Sequence, residues 1–148
     1  MRISSKGRYG LAAIISMAES YYNGEYITII SIAENLDISK IYLEQIFAQL
    51  KKANVISSIK GAQGGYRLSK SPDAITAYDV LVAIEQSIFE KTETTVAKSA
   101  EHIELTIQNS VFNEMDNKIE ELLKNISLSD LVNDTQRFKN SSNLMFFI

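Results

Sequence analysis

The chain has 148 residues, room for one domain or a small domain with an appended element, and 45% apolar content with one proline favours a helix-rich fold around a buried core. It has no cysteine, which excludes disulfides, thiolate metal sites and thiol redox switches. The net charge of -3 hides an asymmetry: residues 1–70 hold nine Lys and Arg against five Asp and Glu, and residues 71–148 hold six against thirteen. A basic half suited to a polyanion and an acidic half kept away from it is the reading, although many solvated surfaces differ as much.

Residues 5–22 carry Leu11, Ile14, Ile15, Ala18, Tyr21 and Tyr22 at helical spacing, and Asn23-Gly24 is a natural stop. The apolar run Leu11 to Ala18 is broken by Ser16 and falls far short of the ~20 residues that span a bilayer. With no signal-peptide pattern before it, the chain reads as cytoplasmic. A second helix is predicted from Thr28 or Ser31, where Ser31-Ile-Ala-Glu34 has capping-box form, to Leu36-Asp37. Ser39 then caps a third helix to about Asn54, and Ile32, Ala33, Leu36 and Ile38 face inward, the spacing of a helix-turn-helix. Val55 to Ser69 reads as two short strands around a glycine turn. Thr76-Ala-Tyr-Asp79 opens a short helix through Glu85, residues 87–100 read as a loop, and one long helix is predicted over roughly 101–126. A capped turn at Ser127-Leu-Ser-Asp130 starts a short last helix, and the chain closes on Leu144-Met-Phe-Phe-Ile148.

On the third helix, Leu43, Ile46, Phe47 and Leu50 share one face, as core residues at i, i+3, i+4 and i+7 do. The other face presents Ile41, Glu44, Gln45, Ala48 and Lys52, with Tyr42 on its flank and Ser39 at its start. Polar groups there suit base edges and apolar ones suit thymine methyls: Gln45 can pair bidentately with adenine, and Glu44 can accept from cytosine N4. Taken alone, it is also an ordinary solvated helix face. In the strand–turn–strand unit, Lys60 and Arg67 are placed to push basic groups towards phosphates, while Gly61, Gly64 and Gly65 allow positive φ and close approach to a sugar-phosphate chain. An ordinary hairpin also uses glycine, but three in five residues exceed its needs. Arg2, Lys6 and Arg8, beside Ser4 and Ser5, would add phosphate contacts. The expected fold is mainly α with a small β-wing: a winged helix-turn-helix over 1–86, a loop over 87–100, and a long C-terminal helix with the terminal segment over 101–148.

The stripe Ile103, Ile107, Val111, Met115, Ile119, Leu122 and Ile126 recurs every three or four residues, broadened by Phe112 and Leu123. About 39 Å of helix needs a covering surface. A second copy of the chain provides one. Packing across the chain's own N-terminal part is the other possibility.

Met1-Arg-Ile-Ser-Ser-Lys-Gly-Arg-Tyr-Gly10, Ser31-Ile-Ala33, Tyr42-Leu-Glu-Gln45, Lys60-Gly61 and Gly64-Gly-Tyr66 resemble the Rrf-type winged-helix regulators, the family of IscR, NsrR and CymR. The resemblance spans nearly the whole chain. It implies a homodimer joined by the long helix on a partly palindromic double-stranded DNA operator, with contacts from Ser39, Tyr42, Glu44, Gln45, Lys60 and the Gly61–Gly65 turn, and Tyr66 beside it. Lys60 stands where the family often has arginine, so a point charge replaces a planar fork. Cluster-binding members carry three cysteines in the segment matching about 87–105, and this chain has none there. His102, read as an exposed helix residue, cannot alone hold an iron–sulfur cluster. No metal or other cofactor is expected. The missing thiols, Asp73-Ala-Ile-Thr-Ala77 and the terminal Leu144–Ile148 resemble the CymR branch, which represses sulfur-uptake and cysteine-synthesis genes and responds to sulfur status through a cysteine synthase (O-acetylserine thiol-lyase). The leading function is therefore a dimeric, cluster-free repressor. The alternative is a winged-helix interaction module that no longer reads DNA. An enzyme is not expected: there is one histidine, and Lys-Gly-Ala-Gln-Gly-Gly lacks the strand–loop–helix setting and terminal Lys-Ser/Thr of a nucleotide loop.

Overall fold

The computed structural model describes residues 2–146, and of the side chains up to 143; Met1, the last two residues of the Leu144–Ile148 ending and the side chains of that whole ending lie outside that part. Helix α1 runs Ser5–Glu19, α2 Ile29–Leu36 and α3 Lys40–Lys52; strands β1 (Ile56–Ile59) and β2 (Gly65–Leu68) follow, then α4 (Ala77–Ile84), α5 (Glu101–Ile107), α6 (Asn113–Lys124) and α7 (Leu128–Phe146). The expected mainly α fold with a small wing is what forms.

Local chemistry sets the boundaries. Ser4 caps α1, its hydroxyl accepting from the Gly7 N–H at 3.2 Å. The helix stops at Glu19, earlier than expected, and tightens into a 3-10 turn over Tyr21–Asn23 that Gly24 ends at φ 73°. Tyr22 consequently leaves the apolar face and is 79% exposed. Of the two starts considered for α2, Thr28 is the cap: its hydroxyl accepts from the Ser31 N–H, and Ser31 lies inside the helix. Asp37 at φ 52° makes the sharp turn, and Ser39 caps α3. Helix α3 ends at Lys52 rather than Asn54, which takes positive φ instead.

Phe47, Leu43, Ile46 and Leu50 are fully buried with Ile14, Met17, Ile32, Ile56 and Val80 in one core. The Phe47 ring meets Tyr66 edge-on, centroids 4.9 Å apart, so α3 and the wing are seated on each other. Phe47→Ala should lower stability by about 3–5 kcal/mol through the cavity it leaves, measurable by urea unfolding; a loss under about 1 kcal/mol would mean the wing rests on something else.

The C-terminal half departs from expectation in three ways. The helix predicted over 101–126 is interrupted at Gln108–Phe112, which wind as a π-helix, and it ends at Lys124. Ile126 falls outside it, where its carbonyl accepts from the Ala77 N–H at 2.8 Å. The last helix is long, 19 residues, not short. Ser127 and Asp130 cap each other reciprocally, and Leu128, fully buried, joins the same core as α1 and α4. Lys139 pairs with Glu19 of α1 at 2.8 Å, holding the far end of α7 down as well. Among the described residues no helix is long and apolar enough to cross a membrane.

Candidate nucleic-acid interface

Helix α3 buries one face and leaves Ile41, Glu44, Gln45, Ala48 and Lys52 exposed on the other, with Ile41 70% exposed. Ser39 is exposed at its N-terminus, the end from which side chains of a groove-bound helix reach base edges. Glu44 is not free: Lys40, one turn before it, lies 3.4 Å away, both side chains about half exposed. Such a pair is worth only ~0.3–0.5 kcal/mol, so Glu44 can leave it for a base at little cost. Were α3 to enter a groove, Lys40 would also offset the repulsion between Glu44 and DNA phosphates. Sequence reasoning missed that role, although the i, i+4 spacing was its signal.

Tyr42 is half-buried, its ring edge-on to Tyr9 of α1 at 5.6 Å, which sets the N-terminal turns of α1 beside the start of α3. Arg2 and Arg8 are exposed and Lys6 is half-buried. Ser4, expected at phosphate, is engaged within the protein. Besides capping α1, its N–H donates to Glu85 Oε1 at 2.9 Å and its hydroxyl donates to the same oxygen. Glu85, 7% exposed at the end of α4, went unnoticed in the sequence, where it reads only as a helix end.

The wing is a two-stranded antiparallel hairpin, Ile56 opposite Leu68 and Ile59 opposite Gly65. It has a third partner that the sequence did not reveal: Ile27 and Tyr66 exchange two backbone hydrogen bonds of 2.8 Å. This explains part of the glycine content. A Cβ on Gly65 would lie 2.6 Å from the Ile27 oxygen, and one on Gly64 would lie 2.3 Å from the Ile59 oxygen, so both glycines answer to the protein's own backbone. Gly61, at φ 115° with open space around it, is the one left to approach a ligand. Lys60, Ala62 and Gln63 beside it are exposed, whereas Tyr66 is half-buried against Phe47 and Arg67 lies over the Tyr26 ring at 5.4 Å.

Along α5 and α6, Ile103 is 59% exposed, Val111 47%, Met115 53% and Leu122 61%, so the chain's own N-terminal part does not cover them. Ile107 and Ile119 are half-buried. The π turn bears on this stripe. Side chains four apart drift by ~40° per step around a regular α-helix. A turn with i→i+5 bonds rotates less per residue, and so returns Val111 and Met115 towards the line of Ile103 and Ile107. Between α4, the segment after it and α6 lies a recess of about 410 Å³, lined by Tyr78, Phe89, Lys91, Asn113, Asp116 and Glu120 among others. Glu120 hydrogen-bonds Lys124 and holds that amine above its ordinary range, and Lys124 lies over the Tyr78 ring at 4.8 Å.

Residues 3–134 match the family model Rrf2, described as an iron-dependent transcriptional regulator. The chain is 32% identical over 136 residues to the HTH-type transcriptional regulator IscR of Erwinia tasmaniensis, covering 92% of this chain and 81% of that protein. It is 44% identical over 88 residues to the HTH-type transcriptional regulator CymR of Bacillus subtilis, covering 60% and 63%. The solved structure of CymR, the global cysteine regulator of B. subtilis, superposes with a TM-score of 0.72 at 32% identity, covering 90% of this chain and 97% of that one. The structure of T. potens IscR gives 0.70 at 31% identity, covering 91% and 88%. An iron–sulfur cluster does not fit the residues here: the segment of about 87–105 offers no thiolate and the single imidazole of His102, and among the described residues no three His, Cys, Asp or Glu side chains converge. With a model match over most of its length and relatives of this similarity, the chain belongs to the Rrf2 family of winged-helix transcriptional regulators and is not an enzyme.

Proposed function

We propose that the chain is a cytoplasmic homodimeric repressor that reads a partly palindromic operator and governs genes of sulfur uptake and cysteine synthesis, controlled by a cysteine synthase partner or a small effector. The observation that carries DNA reading is α3, locked by its apolar face into the core while Ser39, Glu44 and Gln45 stand in solvent, followed directly by a basic, open wing tip. Residues 1–86 hold these parts. Residues 101–148 supply the second-copy surface, through Ile103, Val111, Met115 and Leu122. The likeness to CymR over 88 residues supports the sulfur role, and the absence of cysteine supports control without a cluster. The recess beside Tyr78 and Lys91 offers a small effector charged and polar groups at the joint between the two parts.

Genome-wide mapping of bound DNA tests this reading. Enrichment upstream of sulfur-assimilation genes supports it; enrichment elsewhere removes the sulfur role; no enrichment at all favours an interaction module. Lys60→Ala should weaken binding to every duplex alike, several-fold at 100 mM salt, and reduce the slope of log affinity against log salt by about one. If the loss is confined to one base position instead, Lys60 reads sequence.

A further inference from the structure

We infer that Glu85 is a positioning residue for DNA binding: it fixes the N-terminal turn of α1, and with it Arg2, Lys6 and Arg8, beside the reading helix. This rests on the DNA-reading proposal above and assigns a role to a side chain that touches no DNA.

The chain of contacts is short. Glu85 leaves the end of α4 and one of its oxygens accepts both the Ser4 N–H and the Ser4 hydroxyl. That same hydroxyl accepts from the Gly7 N–H, so one buried carboxylate oxygen holds the residue that caps α1. The approach is possible because α1 is bare where α4 ends. A Cβ on Gly7 would lie 2.4 Å from Glu85 Oε1, and one on Gly10 would lie 2.2 Å from Ile84 Cδ1. Gly7 and Gly10, three apart, thus share the face that meets Ile84 and Glu85. Lys6 and Tyr9, also three apart, share another, and Tyr9 packs on Tyr42 at the start of α3. The first turn of α1 is therefore pinned from one side by Glu85 and set against the reading helix on the other. Without the pin, the three cations keep their charge and lose their fixed place. A helix end also frays readily once its cap is unsupported.

Apart from stability, the role predicts which property of binding changes. Base discrimination sits on α3, which keeps its own seat through Leu43, Ile46, Phe47 and Leu50. Phosphate contacts sit partly on the N-terminal turn. Loss of Glu85 should therefore lower affinity for all duplexes and flatten the salt dependence, since each phosphate contact contributes ~0.9 to the slope on B-DNA.

The experiment uses the full chain, a duplex enriched from a random library by the wild-type protein, and a random duplex of equal length, with affinity measured from 50 to 300 mM KCl. Glu85→Ala should bind both duplexes roughly tenfold more weakly at 100 mM, with a slope smaller by about two and an unchanged ratio between them. Glu85→Gln should restore near wild-type slope, because an amide oxygen has two lone pairs for the same two donors. Gly7→Ala, which leaves the carboxylate in the sequence but pushes it off Ser4, should behave like Glu85→Ala and keeps the proposal testable should that variant fail to fold. Wild-type slope in Glu85→Ala or in Gly7→Ala overturns the proposal, and so does a fall in the ratio between duplexes with the slope unchanged. If the wild-type chain enriches no duplex, the DNA-reading proposal is what fails.

Discussion

Met115→Asp combined with Leu122→Asp is expected to split the proposed dimer and to lower operator affinity by at least ~100-fold. Both side chains are more than half exposed in the single chain, so the exchange removes nothing from its core. Helix content should be unchanged by circular dichroism. In an isologous interface each residue meets its own surface patch in the second copy, so two substitutions bring four carboxylates together where water is excluded. The affinity loss follows from linkage: a dimer binds its second half-site at the high effective concentration set by the first, and separated protomers forgo that advantage. Sedimentation at ~10 μM and operator titration measure the two effects. A double variant that remains dimeric would place the joining surface elsewhere, and a wild-type chain that is monomeric at that concentration would remove it.

The stripe itself was legible, because Ile103, Val111, Met115 and Leu122 recur at helical spacing. Its winding was not. The π turn at Gln108–Phe112 is a matter of backbone phase, and a list of apolar positions cannot distinguish a helix that drifts from one that resets. The caps were the clearest signals. Ser39, Thr76 with Asp79, and Ser127 with Asp130 all act locally, within three residues, and each was placed correctly. Contacts that join distant parts of the chain left no such trace. Ile27 pairs with Tyr66 across 39 positions and Ser4 with Glu85 across 81, and neither partner carries a pattern that names the other. The wing glycines show how this misleads. Three in five residues invited one explanation, approach to DNA, whereas Gly64 and Gly65 are required by Ile59 and Ile27. The length of α7 was underestimated for a related reason: its sequence gives a start but little apolar rhythm beyond Val132, and its docking on α1 uses an ion pair, Lys139 with Glu19, that no periodicity announces.

On non-specific DNA, Gln45→Ala should leave affinity unchanged whereas Glu44→Ala should raise it, and that difference separates the proposed docking from a merely solvated helix. Gln45 is exposed in the second turn of α3, where its amide can donate to adenine N7 and accept from N6. Truncation removes about 1–3 kcal/mol of discrimination at one base pair, a loss of preference of roughly 5- to 160-fold, and leaves non-specific affinity as it was. In the proposed docking Glu44 would bring a negative charge close to the phosphates, balanced in the free chain by Lys40. Removing it releases Lys40 for the backbone, so Glu44→Ala should bind random duplex several-fold more tightly while losing its preference for cytosine at the contacted position. Selection and sequencing on duplexes randomised across the half-site reads both effects, with random-duplex titration at matched salt beside it. Weaker binding of random DNA by Glu44→Ala would mean the glutamate faces away from the phosphates. Unchanged base preference in both variants would mean that α3 does not enter the groove by this face, and the tilt of the whole reading unit would have to be reassigned.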